Sequence, residues 1–224
     1  MIINPLEQLV TLLTFIKCHI CQMREGPICE LCVDVLAADT ESRCYICNKL
    51  TKQNRVCSGH KSALRRAWWL GAYSGPPKEL IAAMKLGRGR AIARSFGRAC
   101  AGILPYFPPD TLVVPVSTAP QRIRRRGFDQ STLIARSLAA EIGLSAQAAL
   151  ARRSNVDQIG KNRIERIKQM QTTFRTTNLV GGKSILLVDD IITTGATIEA
   201  AARCLRDAGA VRVDAVVVAR HLLK

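Results

Sequence analysis

The sequence predicts an α/β protein, a parallel sheet with flanking helices, preceded by a small metal-binding N-terminal domain. Three observations carry this. Seven of the nine cysteines fall between residues 18 and 57, six of them in pairs spaced by two residues and the seventh so spaced from a histidine. From residue 66 onward, short apolar runs alternate with helical patterns, as in parallel strands joined by crossover helices. The stretch SILLVDDIITTGAT (Ser184–Thr197) reads as a buried strand that carries two carboxylates to the edge of the sheet and then turns. The division between the two parts is expected at 1–62 and 63–224.

The chain opens on MIINPLEQLVTLLTFIK. After Pro5, the residues Leu6, Leu9, Val10, Leu13 and Phe15 or Ile16 fall on one helical face. The stretch lacks the basic start and small-residue cleavage site of an export signal, and it is too short to span a bilayer. A cytoplasmic protein without a membrane span, its thiols reduced, is the expectation.

The cysteine pairs are CHIC (Cys18, Cys21), CELC (Cys29, Cys32) and CYIC (Cys44, Cys47), followed by CSGH (Cys57, His60). Two intervening residues let a tight knuckle aim both ligands at one tetrahedral ion, and eight ligands suit two structural zinc ions. Sequential pairing, with Cys18, Cys21, Cys29 and Cys32 on one ion and Cys44, Cys47, Cys57 and His60 on the other, closes shorter loops than interleaved pairing and is preferred. A disulfide framework is disfavoured in a reducing compartment. Some sixty residues of this composition bury little core, so metal binding supplies folding energy. Cys100 and Cys204 lie in Ala-rich helical patterns and read as small core residues.

In the body, Ala67–Tyr73 reads as a strand ended by Ser-Gly-Pro-Pro, and Pro77–Leu86 and Arg90–Ile103 as helices. Thr111–Val116 reads as a buried strand, Asp129–Ile142 as a helix and Gln147–Arg153 as a weak strand. Ser184–Val188 is the clearest buried strand. Ala196–Ala208 is a helix ended by Gly209, and Val211–Ala219 the last strand. Residues 154–173 are polar, basic and aperiodic, and a loop of this length reads as a mobile flap over a reaction site. Aromatics make up 4% of the chain, so the core is expected to be aliphatic.

The net charge of +16 is uneven. Residues 1–60 hold six Lys+Arg and six Asp+Glu, so the whole excess falls on the remainder. Such a field favours polyanions, either phosphorylated small molecules or nucleic acid. Nucleic-acid binding through it would depend steeply on salt. Arg122, Arg124, Arg125 and Arg126 could also form no more than a solvated loop.

In SILLVDDIITTGAT the strand is expected to stop at Asp189, where the turning chain lets Asp189 and Asp190 reach one ligand. Gly195 allows close backbone approach, and successive N–H groups at a helix start cradle a phosphate, with threonine hydroxyls as further donors. Carboxylates suit sugar hydroxyls or a magnesium ion. A sugar 5-phosphate fits both halves. A receiver domain has its Asp pair near the chain start without this loop, and a Walker B carboxylate needs a GxxxxGK[ST] partner that is missing here. The segment closely resembles the phosphoribosyl-pyrophosphate loop of type I phosphoribosyltransferases.

Beyond this loop, the cysteine-rich head, GAYSGPPKELIAAMKLGRGRA (Gly71–Ala91) and RRRGFDQ (Arg124–Gln130) together resemble the ComF family of competence proteins, also called the GntX type. Two positions depart from that pattern: Asp129 and Gln169 stand where the family has Asn, while Gln158, Arg166 and Phe174 match. The resemblance implies a type I phosphoribosyltransferase-like fold. It implies that Asp189 and Asp190 hold the ribose hydroxyls, with Mg²⁺, and that Thr193, Thr194, Gly195, Ala196 and Thr197 bind the 5-phosphate. Val116, Ser117 and Thr118 would face the pyrophosphate, with Lys85 and Arg126 as counter-charges.

By resemblance, the chain binds phosphoribosyl pyrophosphate and acts in the uptake or use of external DNA, with single-stranded DNA and a helicase-type competence protein as partners. Two alternatives stay open: a metabolic transferase acting on a nucleobase or amine, and a non-catalytic DNA- or helicase-binding module.

Overall fold

The computed structural model describes residues 17–23, 26–38, 41–85, 89–152, 173–177 and 179–221. The expected N-terminal helix, and the flap but for Thr173, lie outside them. The head contributes helix α1 (Glu30–Ala38) and a single 3-10 turn at Lys52–Asn54. The body runs β1 (Ala67–Ala72), α2 (Gly75–Lys85), α3 (Gly89–Gly102), β2 (Leu112–Pro115), α4 (Pro120–Arg126), α5 (Gln130–Glu141) and β3 (Ser145–Ala146). It continues with β4 (Leu150–Arg152), β5 (Phe174–Thr176), β6 (Ser184–Ile192), α6 (Ala196–Asp207) and β7 (Arg212–Arg220).

Five strands form one sheet in the order β1-β7-β6-β2-β3, and every pairing in it is parallel. β4 and β5 make a separate antiparallel ribbon. Because the parallel strands are covered on both sides, their apolar residues run without interruption. Val113, Leu186, Val188, Val216 and Val218 enter one core, while Val114, Ile185, Leu187, Ala215 and Val217 enter the other. α3 and α5 pack on the first face and α6 on the second.

The head does not stand apart from these cores. Cys18, Ile28, Cys29, Cys32 and Val33 pack with Trp68 and Leu80 on the first face. Tyr45 and Leu64 join Ile198 and Val217 on the second. At the junction, Arg65 donates through Nε at 3.0 Å and Nη2 at 2.7 Å to Asp214, whose side chain is 1% exposed. Arg66 Nε lies 3.8 Å from the same carboxylate.

Three expectations change. β6 does not stop at Asp189 but runs to Ile192, because β7 continues to pair beside it through Asp189↔Val217 and Ile192↔Arg220. The segment after β2 is not a plain loop: Pro120 starts the short helix α4, which Gly127 ends at φ +78°. Cys100 is buried as expected, whereas Cys204 is only half-buried.

Candidate functional site

β2 and β6 are neighbours, yet the chain leaves them in opposite directions. After β2 it reaches β3 on one side; after β6 it reaches β7 on the other. That is a topological switch point, where a crevice opens beyond the carboxyl ends of the strands. Register deepens it. The last β2–β6 pair is Pro115↔Val188, followed by the bond from the Val116 N–H to the Val188 carbonyl at 2.9 Å. Asp189 and Asp190 then continue β6 with no β2 partner beside them, and a cavity of about 590 Å³ fills the gap.

Both aspartates line this cavity. The Asp189 Oδ1 accepts the Ser131 hydroxyl at 2.8 Å and the Asp190 N–H at 2.9 Å. Burial, then the neighbouring Asp190 charge, pushes the Asp189 carboxyl up to about 8 against these hydrogen bonds. Asp190 Oδ2 lies 2.9 Å from Lys85 Nζ.

Thr193, Gly195 and Thr197 also line the cavity, while Thr194 and Ala196 belong to the same turn without lining it. Gly195 caps α6 with φ +82°, and the Ala196 N–H donates to Thr194 Oγ1 at 3.3 Å. Val116, Ser117, Thr118 and Arg126 line it as well. The Thr118 N–H and hydroxyl both donate to the Asp129 carboxylate, at 3.3 and 2.9 Å, and Asp129 also caps α5 by accepting from the Ser131 and Thr132 N–H groups. Its carboxylate thus ties the loop after β2 to a helix start, where negative charge is favoured. Of the residues expected from the sequence, Lys85, Val116, Ser117, Thr118, Arg126, Asp189, Asp190, Thr193, Gly195 and Thr197 line this cavity, and Thr194 and Ala196 do not.

Sequence reasoning missed Gln130 and Arg152, which also line the cavity. Gln130 Oε1 accepts from Arg126 Nη1 at 3.0 Å, and the Arg152 guanidinium stacks 5.6 Å from the Phe174 ring centroid. The one available signal for Arg152 was a basic residue ending a weak strand beside the long polar segment.

The two sets of cysteines gather in sequential order. The ligand atoms of Cys18, Cys21, Cys29 and Cys32 all lie within 4.8 Å of one another, as do those of Cys44, Cys47, Cys57 and His60. The Sγ–Sγ distances are 3.5 Å for Cys21–Cys29 and 3.6 Å for Cys47–Cys57. A tetrahedron with Zn–S bonds of about 2.3 Å has edges of roughly 3.8 Å, so the donor sets fit that ion. Burial opposes ionisation of Cys18, but backbone N–H groups of Cys21, Cys29 and Ile20 outweigh it and bring the thiol down to about 6. Cys44 falls to about 7 in the same way. Both clusters can hold metal.

Among known proteins, the phosphoribosyl transferase domain family matches residues 123–223. The fold is accordingly a phosphoribosyltransferase-like α/β core behind a cysteine-rich head. The chain is similar to competence protein ComFC of Bacillus subtilis, with 27% identity over 193 residues, covering 81% of this chain and 79% of that one. It is 26% identical to ComFC of Streptococcus pneumoniae over 210 residues, covering 91% and 92%. DNA utilization protein YhgH of Escherichia coli K12 is 24% identical over 221 residues, covering 87% and 97%. Of solved structures, the Bacillus subtilis glutamine phosphoribosylpyrophosphate amidotransferase complexed with ADP and GMP matches 62% of this chain and 30% of its own, at 20% identity and a TM-score of 0.46. No helix among the described residues is long and apolar enough to cross a membrane.

Proposed function

We propose that the chain is a cytoplasmic protein that binds phosphoribosyl pyrophosphate and acts in the use of DNA taken up from outside. One observation carries the ligand: an acidic pair and the turn residues Thr193, Gly195 and Thr197 line a single cavity at the switch point of the sheet. Asp189 and Asp190 suit the ribose hydroxyls, the turn Thr193–Thr197 suits the 5-phosphate, and Val116–Thr118 with Arg126 suits the pyrophosphate. Mg²⁺, held through the carboxylates and the ligand's own oxygens, would supply charge neutralisation at the leaving group.

Transfer from this ligand needs no protein nucleophile. An acceptor attacks C1, the bond from C1 to the pyrophosphate oxygen breaks, and the electron pair leaves on the pyrophosphate. The chain's part is to orient the sugar and to place positive charge where negative charge develops. Lys85, Arg122, Arg126 and Arg152 are the cations that line the cavity. Similarity to ComFC and YhgH supports the DNA role, and exposed Arg124 and Arg125 on α4, near the cavity, supply cations for strand phosphates. The knuckles are read as structural zinc sites.

Calorimetric titration with phosphoribosyl pyrophosphate and Mg²⁺ tests the reading. Binding by the parent chain, lost in the Asp189→Ala, Asp190→Ala double variant, supports it. Absence of binding by the parent chain, or equal affinity in the variant, overturns it.

A further inference from the structure

We infer that the second knuckle holds the phosphate turn in shape through Tyr45, a positioning residue for the 5-phosphate subsite; this rests on the reading of Thr193–Thr197 as that subsite. Tyr45 sits between two ligands of the cluster, Cys44 and Cys47. Its ring lies against Gly195 so closely that a Cβ there would stand 2.9 Å from Tyr45 Cε2. Thr193, Thr194, Ala196 and Thr197 are exposed, whereas Gly195 at the centre of the turn is buried. The ring is thus a floor under an otherwise open turn.

A second set of contacts fixes the floor. The Tyr45 hydroxyl donates to Glu199 Oε2 at 2.9 Å. The Ser62 hydroxyl donates to the same oxygen at 2.6 Å, and the Ala63 N–H to Oε1 at 2.9 Å. Ser62 and Ala63 closely follow His60, another ligand of the cluster. Glu199 lies in the first turn of α6, its N–H bonded to the Gly195 carbonyl at 2.9 Å. A residue inside the knuckle and the segment that follows its last ligand therefore grip one carboxylate, and the ring closes on the residue that caps the helix. Metal at the knuckle restrains Cys44 and Cys47, and with them the ring.

The test compares Tyr45→Ala and Tyr45→Phe with the parent chain, after metal analysis has shown equal zinc content. The probes are ribose 5-phosphate and inorganic pyrophosphate, titrated separately. Tyr45→Ala is expected to weaken ribose 5-phosphate about tenfold while leaving pyrophosphate unchanged, and Tyr45→Phe to recover most of the loss. A purely structural tie between head and body would move both ligands together or neither, and either result overturns the proposal. Amide hydrogen exchange over 193–198 without ligand gives an independent readout, expected to speed up in Tyr45→Ala. If the parent chain binds no ribose 5-phosphate, the phosphate reading fails, and exchange alone decides whether Tyr45 braces the turn. Should Tyr45→Ala not fold, Tyr45→Leu is read in the same way.

Discussion

Lys85 Nζ stands 2.9 Å from Asp190 Oδ2, with the two side chains 27% and 16% exposed. An ammonium this close offsets part of the repulsion between two adjacent carboxylates. It also stands at the cavity wall, within reach of an incoming anion. Lys85→Met is therefore expected to weaken phosphoribosyl pyrophosphate by about tenfold and ribose 5-phosphate much less, since only the first carries the pyrophosphate. Calorimetry with both ligands checks this, and equal losses would remove Lys85 from the pyrophosphate subsite.

Asp189 predicts a pH dependence. Burial first, then the charges of Asp190 and Asp129, raises its carboxyl to about 8 in the folded chain. The ordinary aspartate value is about 3.9. A raised folded value means that folding takes up a proton between these limits. The stabilisation is full below about pH 4 and is lost progressively as pH rises to about 8. The unliganded parent should melt at lower temperature as pH goes from 5 to 8, and Asp189→Asn should flatten that slope. An identical slope in the variant would show that other groups set it.

Much of this was legible because it is local. The continuous apolar run Ile185–Val188 marks a strand covered on both faces, and the Asp-Asp-x-x-Thr-Thr-Gly order specifies a turn whose chemistry follows from side chains close in sequence. The knuckles were legible for the same reason. What escaped depends on distant partners. That β6 continues to Ile192 follows from β7 running alongside, not from its own residues. Arg152 reaches the cavity through the antiparallel ribbon with β5, whose partner strand lies beyond a long intervening segment. The contact of Tyr45 with Gly195 joins residues 150 positions apart, and no periodicity announces it.

Metal removal should not melt the head by itself. Cys18, Cys29 and Cys32 share a core with Trp68, Leu80 and Phe96, and Tyr45 shares the other with Leu205 and Val217. Stripping metal from the two clusters would leave buried thiols without their ligand and loosen both faces of the sheet at once. Binding energy at a structural zinc site is folding energy, so a strong chelator is expected to lower the melting temperature of the whole chain in one cooperative transition. A separate low-temperature step confined to the head, with the body transition unmoved, would instead make residues 1–62 an independent unit.

The support behind the site rests on a close helix crossing. Gly97 on α3 meets α5 so tightly that a Cβ would lie 2.4 Å from Ser137 Oγ, 2.5 Å from Ser137 Cβ and 2.7 Å from the Leu138 backbone nitrogen. Alanine favours helix over glycine by about 1 kcal/mol, so Gly97→Ala would stabilise an isolated α3. Here the clash includes backbone, which cannot rotate away, and the overpacking cost of about 1–3 kcal/mol should win. Ser131, which donates to Asp189, is carried by α5. Displacing that helix should therefore lower the urea midpoint and weaken ligand binding together. Adding Ser137→Gly relieves the side-chain contacts but not the one with Leu138, so only partial recovery is expected. Full recovery would mean that the backbones are free to separate, and a Gly97→Ala variant as stable as the parent would mean that the crossing is looser than its geometry indicates.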